Sequence, residues 1–203
     1  MTAAAPAKAR TPSQRARRDS ILRAAIRLLE EREYEQIQIR EVAENAGVAL
    51  ATVYRYFPSK ELLYAEALVT WGETFEARVR GQNRKPVGDA ARLRAVLRRT
   101  VRAYGRYPNF YRLTMLLEVT ADPAAREVFR GYTESFERIL AESLTDTAER
   151  EREVFVLLFT SLLGGLLRKW STGSLPLRRS LEYIDDAVSL TIEGARSAHG
   201  AGL

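Results

Sequence analysis

Arginine, lysine and tyrosine side chains recur along one short stretch of the chain. Arg40, Tyr54, Arg55, Tyr56 and Lys60 all fall between positions 40 and 60. Guanidinium, ammonium and phenol groups donate hydrogen bonds to phosphate oxygens and to base edges, so this set is typical of a nucleic-acid contact. The side chains can act together only if a rigid element presents them on one face.

The segment Ile39–Phe57 has the pattern of two short helices joined by a tight turn. Small and apolar residues repeat at helical spacing, and Gly47 stands where a helix ends in a left-handed residue. Ala43 is small enough to let two helices cross. The pattern predicts a helix-turn-helix with helices at about 38–46 and about 50–56. An ordinary helical hairpin is the alternative.

The positive charge of the chain is concentrated ahead of this segment. Residues 1–28 account for the entire net charge of +6, with Asp19 as their single acid. The bases are Lys8, Arg10, Arg15, Arg17, Arg18, Arg23 and Arg27. A basic arm leading into a helix-turn-helix is the electrostatic footprint of phosphate contact. A solubilising tail is the alternative, chiefly for the first two of these bases.

The run Ile39–Lys60 resembles the DNA-binding segment of the TetR-type transcriptional regulators. The likeness extends over Arg15–Leu63, and beyond it only length and helical pattern agree. Three positions depart from the family pattern: Gln38 replaces a common threonine, Ala49 a serine and Ala51 a glycine. Alanine has no side-chain donor, so base reading at these two alanines would be apolar contact, for example with a thymine methyl group.

The chemistry and the resemblance together give the expected DNA contacts. Phosphate contacts are expected from Arg17, Arg18, Gln38, Arg40, Thr52, Tyr56 and Lys60. Base contacts are expected from Ala49, Leu50, Ala51, Tyr54 and Arg55. Arg55 suits a guanine or a neighbouring phosphate, and packing on the first helix is an equal alternative for Tyr54. Val48, Val53 and Phe57 are expected in the core.

The whole chain reads as all-α, with about nine helices and no alternating strand pattern. We expect an N-terminal three-helix helix-turn-helix domain followed by a C-terminal helical ligand-binding and dimerisation domain. The expected boundaries are a disordered basic arm at 1–10, the DNA-binding domain at 11–58, the effector-binding and dimerisation domain at 59–195 and a flexible tail at 196–203. Thr11, Asp89 and Asp122 are expected to cap helices.

One late helix, Val154–Trp170, is apolar nearly all round and therefore needs burial on more than one side. Polar and glycine residues interrupt it, so a buried helix is favoured over a membrane span. The resemblance implies that the last two helices form a four-helix bundle with a second subunit, giving a homodimer. The expected interface is Leu158, Leu162, Gly164, Gly165, Leu181, Ile184 and Val188. The glycine pair permits close helix approach, with a kink as the alternative.

Aromatic residues are concentrated in the second part of the chain, and many carry a polar group. A cavity among them would suit a largely apolar effector, although ordinary core packing is the alternative for most. The expected lining is Trp71, Phe75, Tyr104, Tyr107, Phe110, Tyr111, Met115, Phe129, Tyr132, Phe136, Phe159 and Leu163. The resemblance implies that a bound effector shifts the helix beginning near Ser59 and lowers DNA affinity. The runs Arg106–Asn109 and Leu166–Trp170 resemble segments of regulators of steroid or lipid catabolism. This resemblance suggests a lipid- or steroid-like effector or an acyl-CoA.

Other classes of function find little support. There is no cysteine, the single histidine, His199, lies in a Gly/Ala-rich tail, and neither a metal nor a cofactor is expected. The N-terminus lacks the apolar core of a secretory signal, so a cytoplasmic location is expected. The sequence thus predicts a ligand-responsive repressor, not an enzyme, that binds a palindromic DNA operator as a homodimer and leaves it when a small apolar effector binds. The alternatives are a helical DNA-binding and dimerising protein without a sensor and, remotely, a small helical enzyme.

Overall fold

The computed structural model describes residues 11–82 and 87–193, and this part of the chain is helical without a strand. Its α-helices are α1 Pro12–Glu31, α2 Ile39–Ala46, α3 Leu50–Tyr56, α4 Lys60–Gln82, α5 Asp89–Arg106, α6 Pro108–Glu118, α7 Pro123–Ser143, α8 Glu149–Ser171 and α9 Leu177–Val188. A 3-10 turn at Tyr34–Gln36 and a π-helical turn at Ser189–Glu193 complete it. The all-α prediction is confirmed. The predicted basic arm and flexible tail lie outside the described residues.

Helix α1 begins where the sequence predicted. The N–H of Gln14 donates to the Thr11 hydroxyl at 3.3 Å, and the N–H of Thr11 donates back to the Gln14 side chain at 3.0 Å. This reciprocal pair satisfies two donors that a helix terminus otherwise leaves unpaired. The buried face of α1 is an apolar stripe of six residues: Ile21, Leu22, Ala24, Ala25, Leu28 and Leu29.

The helices form two groups joined by α4. Helix α1 packs against α2 and α4, and α2 packs against α3, so α1–α3 form a compact unit that we call the head. Helix α4 starts next to the head and packs along α7, while α5 packs against α9 and α8 contacts α7 and α9. Helix α4 therefore belongs to the packing of both groups, which places it to carry displacements between them, and α6 also contacts α1.

Asp89 has a different role from the helix cap that the sequence predicted. It is the first residue of α5 and is fully buried, following Gly88, whose φ is 85°. Its carboxylate accepts hydrogen bonds from the Asp146 N–H at 3.1 Å and the Thr147 hydroxyl at 2.6 Å, and it is paired with Arg92. The residue thus ties the start of α5 to the α7–α8 loop instead of satisfying its own helix terminus.

Helix α8 is only partly covered within the subunit. By length and composition, Glu149–Ser171 is the one helix in the described part of the chain that could cross a membrane, with 22% of its most apolar window buried. Core and interface helices meet the same criterion. Its exposed side includes Val154, Leu157 and Leu158, which are 59%, 70% and 43% exposed. The expected burial on several sides is therefore not met inside one subunit.

Candidate DNA interface and effector cavity

The turn between α2 and α3 has the geometry of a helix-turn-helix. Gly47 adopts a left-handed conformation with φ 68°, and its N–H donates to the Glu44 carbonyl at 3.2 Å. The Val48 N–H donates to the Ala43 carbonyl at 3.0 Å, so two carbonyls at the end of α2 are paired. Ala43 is buried and Val53 of α3 is fully buried. The predicted turn, its glycine and the core position of Val53 are confirmed.

The outer face of α3 carries few hydrogen-bonding groups. Its exposed residues, with the N-cap, are Ala49, Leu50, Ala51, Tyr54 and Arg55, whereas Thr52 and Tyr56 are half-buried. Leu50 and Tyr54 are 39% and 47% exposed, and both present apolar surface. The Arg55 guanidinium lies 5.5 Å from the centre of the Tyr56 ring. This face can contact thymine methyl groups, and Arg55 supplies its one cation.

The N-terminus of α2 is held in place while its basic residue stays exposed. Glu41 accepts from the Gln38 N–H at 2.8 Å and from Arg32 at 2.9 Å, and these two bonds lower the pKa of its carboxyl group. Gln38 and Arg40 are both exposed, and Arg40 pairs with Glu44 at 3.4 Å. An exposed pair of this kind is weak, so Arg40 can exchange it for a phosphate.

Two predicted phosphate contacts are instead committed within the subunit. Arg18 pairs with Glu66 of α4, and its guanidinium lies 5.4 Å from the centre of the Phe57 ring. The Lys60 ammonium donates to the Tyr34 carbonyl at 2.6 Å and lies 4.1 Å from the centre of that tyrosine ring. Burial lowers the pKa of Lys60. Long side chains fold back when a neighbouring helix offers a partner. Arg17, in contrast, is exposed.

A cavity of about 200 Å³ lies among α4–α8. Its wall includes eight of the predicted lining residues: Trp71, Tyr104, Tyr111, Met115, Phe129, Tyr132, Phe136 and Leu163. Trp71 stacks on Phe110 with ring centres 4.5 Å apart, and its ring centre lies 5.6 Å from that of Tyr104. Aromatic pairs at such distances add stability beyond burial alone, so this side of the cavity is well ordered.

Three of the remaining predicted lining residues pack elsewhere. Phe110 and Phe159 are fully buried and belong to the core, and Tyr107 packs against Trp71 behind the cavity wall. The side chain of Phe75 lies outside the described residues. Helical spacing identifies the buried face of a helix, but it does not distinguish a cavity wall from a filled core.

The wall also contains polar residues that the sequence analysis missed. They are Thr100, Thr114, Glu118, Thr133, Thr160 and Arg168. The two charged residues are exposed, whereas the Thr160 hydroxyl is buried and has no hydrogen-bond partner among the described residues. Their only sequence signal is a polar residue on an otherwise apolar helix face, which occurs equally in ordinary cores.

The structure corrects the predicted dimer interface. Ile184 and Val188 of α9 are fully buried within the subunit, where α9 packs against α5, so they cannot face a partner. Tyr183, beside them, is 41% exposed. On α8, Leu158 is exposed and Leu162 is half-buried. In α9, Leu181 is also half-buried.

The predicted glycines of α8 have open space beside them. An added Cβ at Gly164 or Gly165 would meet nothing within 4 Å inside the subunit. Packing between helices of one subunit therefore does not explain either glycine. Gly164 also lies in the cavity wall, where its carbonyl accepts from the Tyr111 hydroxyl at 3.2 Å.

Known proteins resemble this chain over most of its length. Residues 21–67 match the family described as bacterial regulatory proteins, tetR family. The HTH-type transcriptional repressor KstR of Rhodococcus jostii (strain RHA1) is 33% identical over 182 residues, covering 89% of this chain and 83% of that protein. The chain belongs to the TetR family. It is therefore a DNA-binding transcriptional regulator, and α2 and α3 are the helix-turn-helix of the TetR fold.

Solved structures agree with this TetR-family assignment. A TetR transcriptional regulator from Rhodococcus sp. RHA1 aligns with a TM-score of 0.70 and 28% identity, covering 89% of this chain and 97% of that one. The transcriptional regulator FadR from Bacillus subtilis, solved in complex with stearoyl-CoA, aligns with a TM-score of 0.67, 17% identity and coverage of 84% and 96%. The second likeness shows the shared fold alone.

In this TetR-family chain, polar contacts join the head to the helices that surround the cavity. Ser59, which caps α4 just after the head, donates its hydroxyl to Asp122 at the start of α7. The Asn109 side chain of α6 donates to the Leu29 carbonyl of α1 at 3.0 Å. Sequence patterns do not predict these contacts, because they join residues far apart in the chain.

Proposed function

We propose that this TetR-family regulator is a repressor that binds a palindromic operator as a homodimer and is released by a small, largely apolar effector. The observation that carries the proposal is the pairing of two features in one subunit. An exposed recognition face lies on α3, and an aromatic cavity lies among α4–α8. We place the protein in the cytoplasm, where its DNA would be.

Sequence reading is assigned to the exposed face of α3. Arg55 is its one cation, and Ala49, Leu50, Ala51 and Tyr54 offer apolar contact to base edges. Arg17, Gln38 and Arg40 are exposed near the same surface and are assigned to phosphates, with Thr52 and Tyr56 at the edge of the helix. Phosphate contacts set the position of the protein on the duplex, whereas base contacts select the sequence.

Dimerisation is assigned to the uncovered side of α8, extended by Tyr183 of α9. Val154, Leu157 and Leu158 are large apolar residues that remain exposed in the subunit, and a partner helix would remove them from water. Gly165 leaves room for a close helix approach beside it, whereas Gly164 lies in the cavity wall. A two-fold dimer would place two recognition helices about 34–36 Å apart, in successive major grooves.

We assign the effector to the cavity, because its aromatic wall suits a lipid- or steroid-like molecule. An acyl-CoA is a candidate by analogy with the B. subtilis protein solved with stearoyl-CoA. Arg168 in the wall is exposed and could meet a charged group at the cavity entrance. Native mass spectrometry of the freshly purified protein would report the subunit count and any retained small molecule together.

The DNA assignment is tested by fluorescence anisotropy on a duplex spanning the protein's own promoter region, at two salt concentrations. Arg55→Ala should weaken binding by about 1–3 kcal/mol if Arg55 reads a base. Arg40→Ala should make the slope of log affinity against log salt concentration shallower by about one. Arg178→Ala is the matched control because Arg178 is an exposed arginine of α9, and α9 packs against α5 and α8. If all three variants bind equally, the assignment of α3 and α2 is wrong.

A further inference from the structure

The wall of the cavity holds a hydrogen-bonded pair of tyrosines. The hydroxyl oxygens of Tyr104 on α5 and Tyr132 on α7 lie 2.8 Å apart. Tyr104 is buried, and burial together with the Tyr132 hydroxyl raises its pKa well above the ordinary value. Like any tyrosine, Tyr104 keeps its proton at neutral pH, so its hydroxyl can donate a hydrogen bond.

Another hydroxyl group in the same wall lacks a hydrogen-bond partner. The Thr160 hydroxyl of α8 is buried and makes no hydrogen bond among the described residues. Buried polar atoms are nearly always paired, and a threonine inside a helix commonly bonds to the carbonyl one turn earlier. A cavity lined only to hold an apolar molecule would gain nothing from such a hydroxyl, so its presence favours an occupant that carries a polar atom.

Tyr132 also touches the helix that leads to the DNA-binding unit. A Cβ added to Gly72 of α4 would lie 2.6 Å from Cε2 of the Tyr132 ring, which is closer than carbon atoms approach. The ring therefore rests directly on the α4 backbone, at a place where only glycine leaves room. Helix α4 begins at Lys60, four residues after the end of α3.

We propose that the Tyr104–Tyr132 pair recognises a carbonyl or hydroxyl oxygen of an otherwise apolar effector, and that Tyr132 passes the resulting displacement to α4 at Gly72. This inference rests on the proposed function, because it assumes that the cavity holds the effector. It adds the chemical class of the ligand and the contact through which the ligand acts.

The geometry indicates which tyrosine moves. An oxygen that accepts a hydrogen bond from both hydroxyls separates them from 2.8 Å to about 4.5 Å. Tyr104 is packed between Trp71 and Tyr111, with ring centres 5.6 Å and 5.4 Å away. Tyr132 is half-buried, and its ring stacks on Phe129 of its own helix with ring centres 6.2 Å apart, so this neighbour can move with it. Its ring shifts on Gly72, and α4 shifts with it.

The first test compares two ligands of the same shape that differ by one oxygen, 2-tetralone and tetralin, by quenching of tryptophan fluorescence. Tyr132→Phe and Tyr104→Phe should each weaken 2-tetralone binding by about three- to tenfold and leave tetralin binding within about twofold. Equal changes for both ligands, or none, overturn the inference while the proposed cavity stands. If the wild-type protein binds neither ligand, the inference and the proposed sensor both fail.

The second test separates contact with α4 from ligand binding. Gly72→Ala should displace Tyr132 and lower DNA affinity by at least about fivefold without any ligand. Gly131→Ala is the matched control because an added Cβ there meets nothing within 4 Å on the same pair of helices. Far-UV circular dichroism checks that both variants fold.

Tyr132→Leu serves if Gly72→Ala does not fold, because it removes the ring from α4. It should abolish any change in DNA affinity caused by 2-tetralone, whereas Tyr132→Phe retains the ring on Gly72. Equal DNA affinity of the two glycine variants overturns the α4 contact. Loss of DNA binding by the wild-type protein would instead refute the proposed function.

Discussion

The hydrogen bond between Ser59 and Asp122 joins the start of α4 to the start of α7. The Ser59 hydroxyl accepts from the Leu62 N–H at 3.0 Å, which caps α4, and donates to one Asp122 oxygen. The other Asp122 oxygen accepts from the Ala124 and Ala125 N–H groups at 2.8 and 3.1 Å, which caps α7. Two helix caps therefore share one bond, and we predict that Asp122→Ala destabilises the protein by more than a single cap would.

The magnitude follows from the bonds that are lost. Removing an aspartate cap costs about 1 kcal/mol, and a hydrogen bond to a charged group contributes about 1.5–3 kcal/mol when it is sheltered. Asp122 is half-buried, so the lower part of that range applies. We expect Asp122→Ala to reduce the free energy of unfolding by about 2–3 kcal/mol, and Ser59→Ala by about 1–2 kcal/mol.

Urea unfolding of the wild type, both single variants and the double variant measures the coupling between the two residues. We expect an interaction energy of about 1–2 kcal/mol, because the double variant loses the shared bond only once. The Ser59 hydroxyl, followed by the α7 N–H groups, lowers the pKa of Asp122. Asp122 therefore makes its full contribution to the free energy of unfolding above the ordinary carboxyl pKa of about 3.9. This contribution is lost as the pH falls through the lower pKa that Asp122 has in the folded state. Additive single-variant effects at pH 7 would refute the shared bond.

Three further substitutions test other parts of the structure. Thr160→Val should raise the thermal stability of the ligand-free protein by about 1–2 kcal/mol, because it removes a buried hydroxyl without a partner; an unchanged melting temperature would contradict this. Asp89→Ala should lower the free energy of unfolding by about 3 kcal/mol, since the Asp146 N–H and the Thr147 hydroxyl would lose their buried acceptor while Arg92 keeps Asp146, and urea unfolding measures it. Leu157→Asp should yield monomers in native mass spectrometry, whereas Val87→Asp, at a still more exposed apolar residue outside α8, should not.

Local sequence rules were sufficient for the helix-turn-helix. Gly47 ends α2 because only glycine adopts its positive φ cheaply, and Thr11 and Asp122 begin helices because their side chains accept from backbone N–H groups. Each of these depends on residues within four positions along the chain. Asp89 met the same local criterion, yet it bonds to the α7–α8 loop, because a distant N–H competes for the same carboxylate.

Contacts between distant segments could not be predicted from the sequence. Arg18 and Lys60 are long cations near the DNA-binding surface, and nothing in their neighbours indicates that Glu66 and Tyr34 bind them instead. Apolar spacing likewise placed Ile184 on a buried face without showing whether its own subunit or a partner covers it. These questions depend on how helices pack, which helical periodicity leaves open.

Helix α6 gives the cavity a second connection to the head, beside α4. At its N-terminal end, Asn109 donates to the Leu29 carbonyl and Arg112 pairs with Glu33, so α6 is fixed to the end of α1 and the turn that follows. The same helix places Tyr111 and Met115 in the cavity wall. Hydrogen bonds between backbone and side chain tolerate little change in length. A change in cavity shape that moves α6 should therefore move the head with it as long as the bond between Asn109 and the Leu29 carbonyl is kept, whereas the exposed Arg112–Glu33 pair can rearrange.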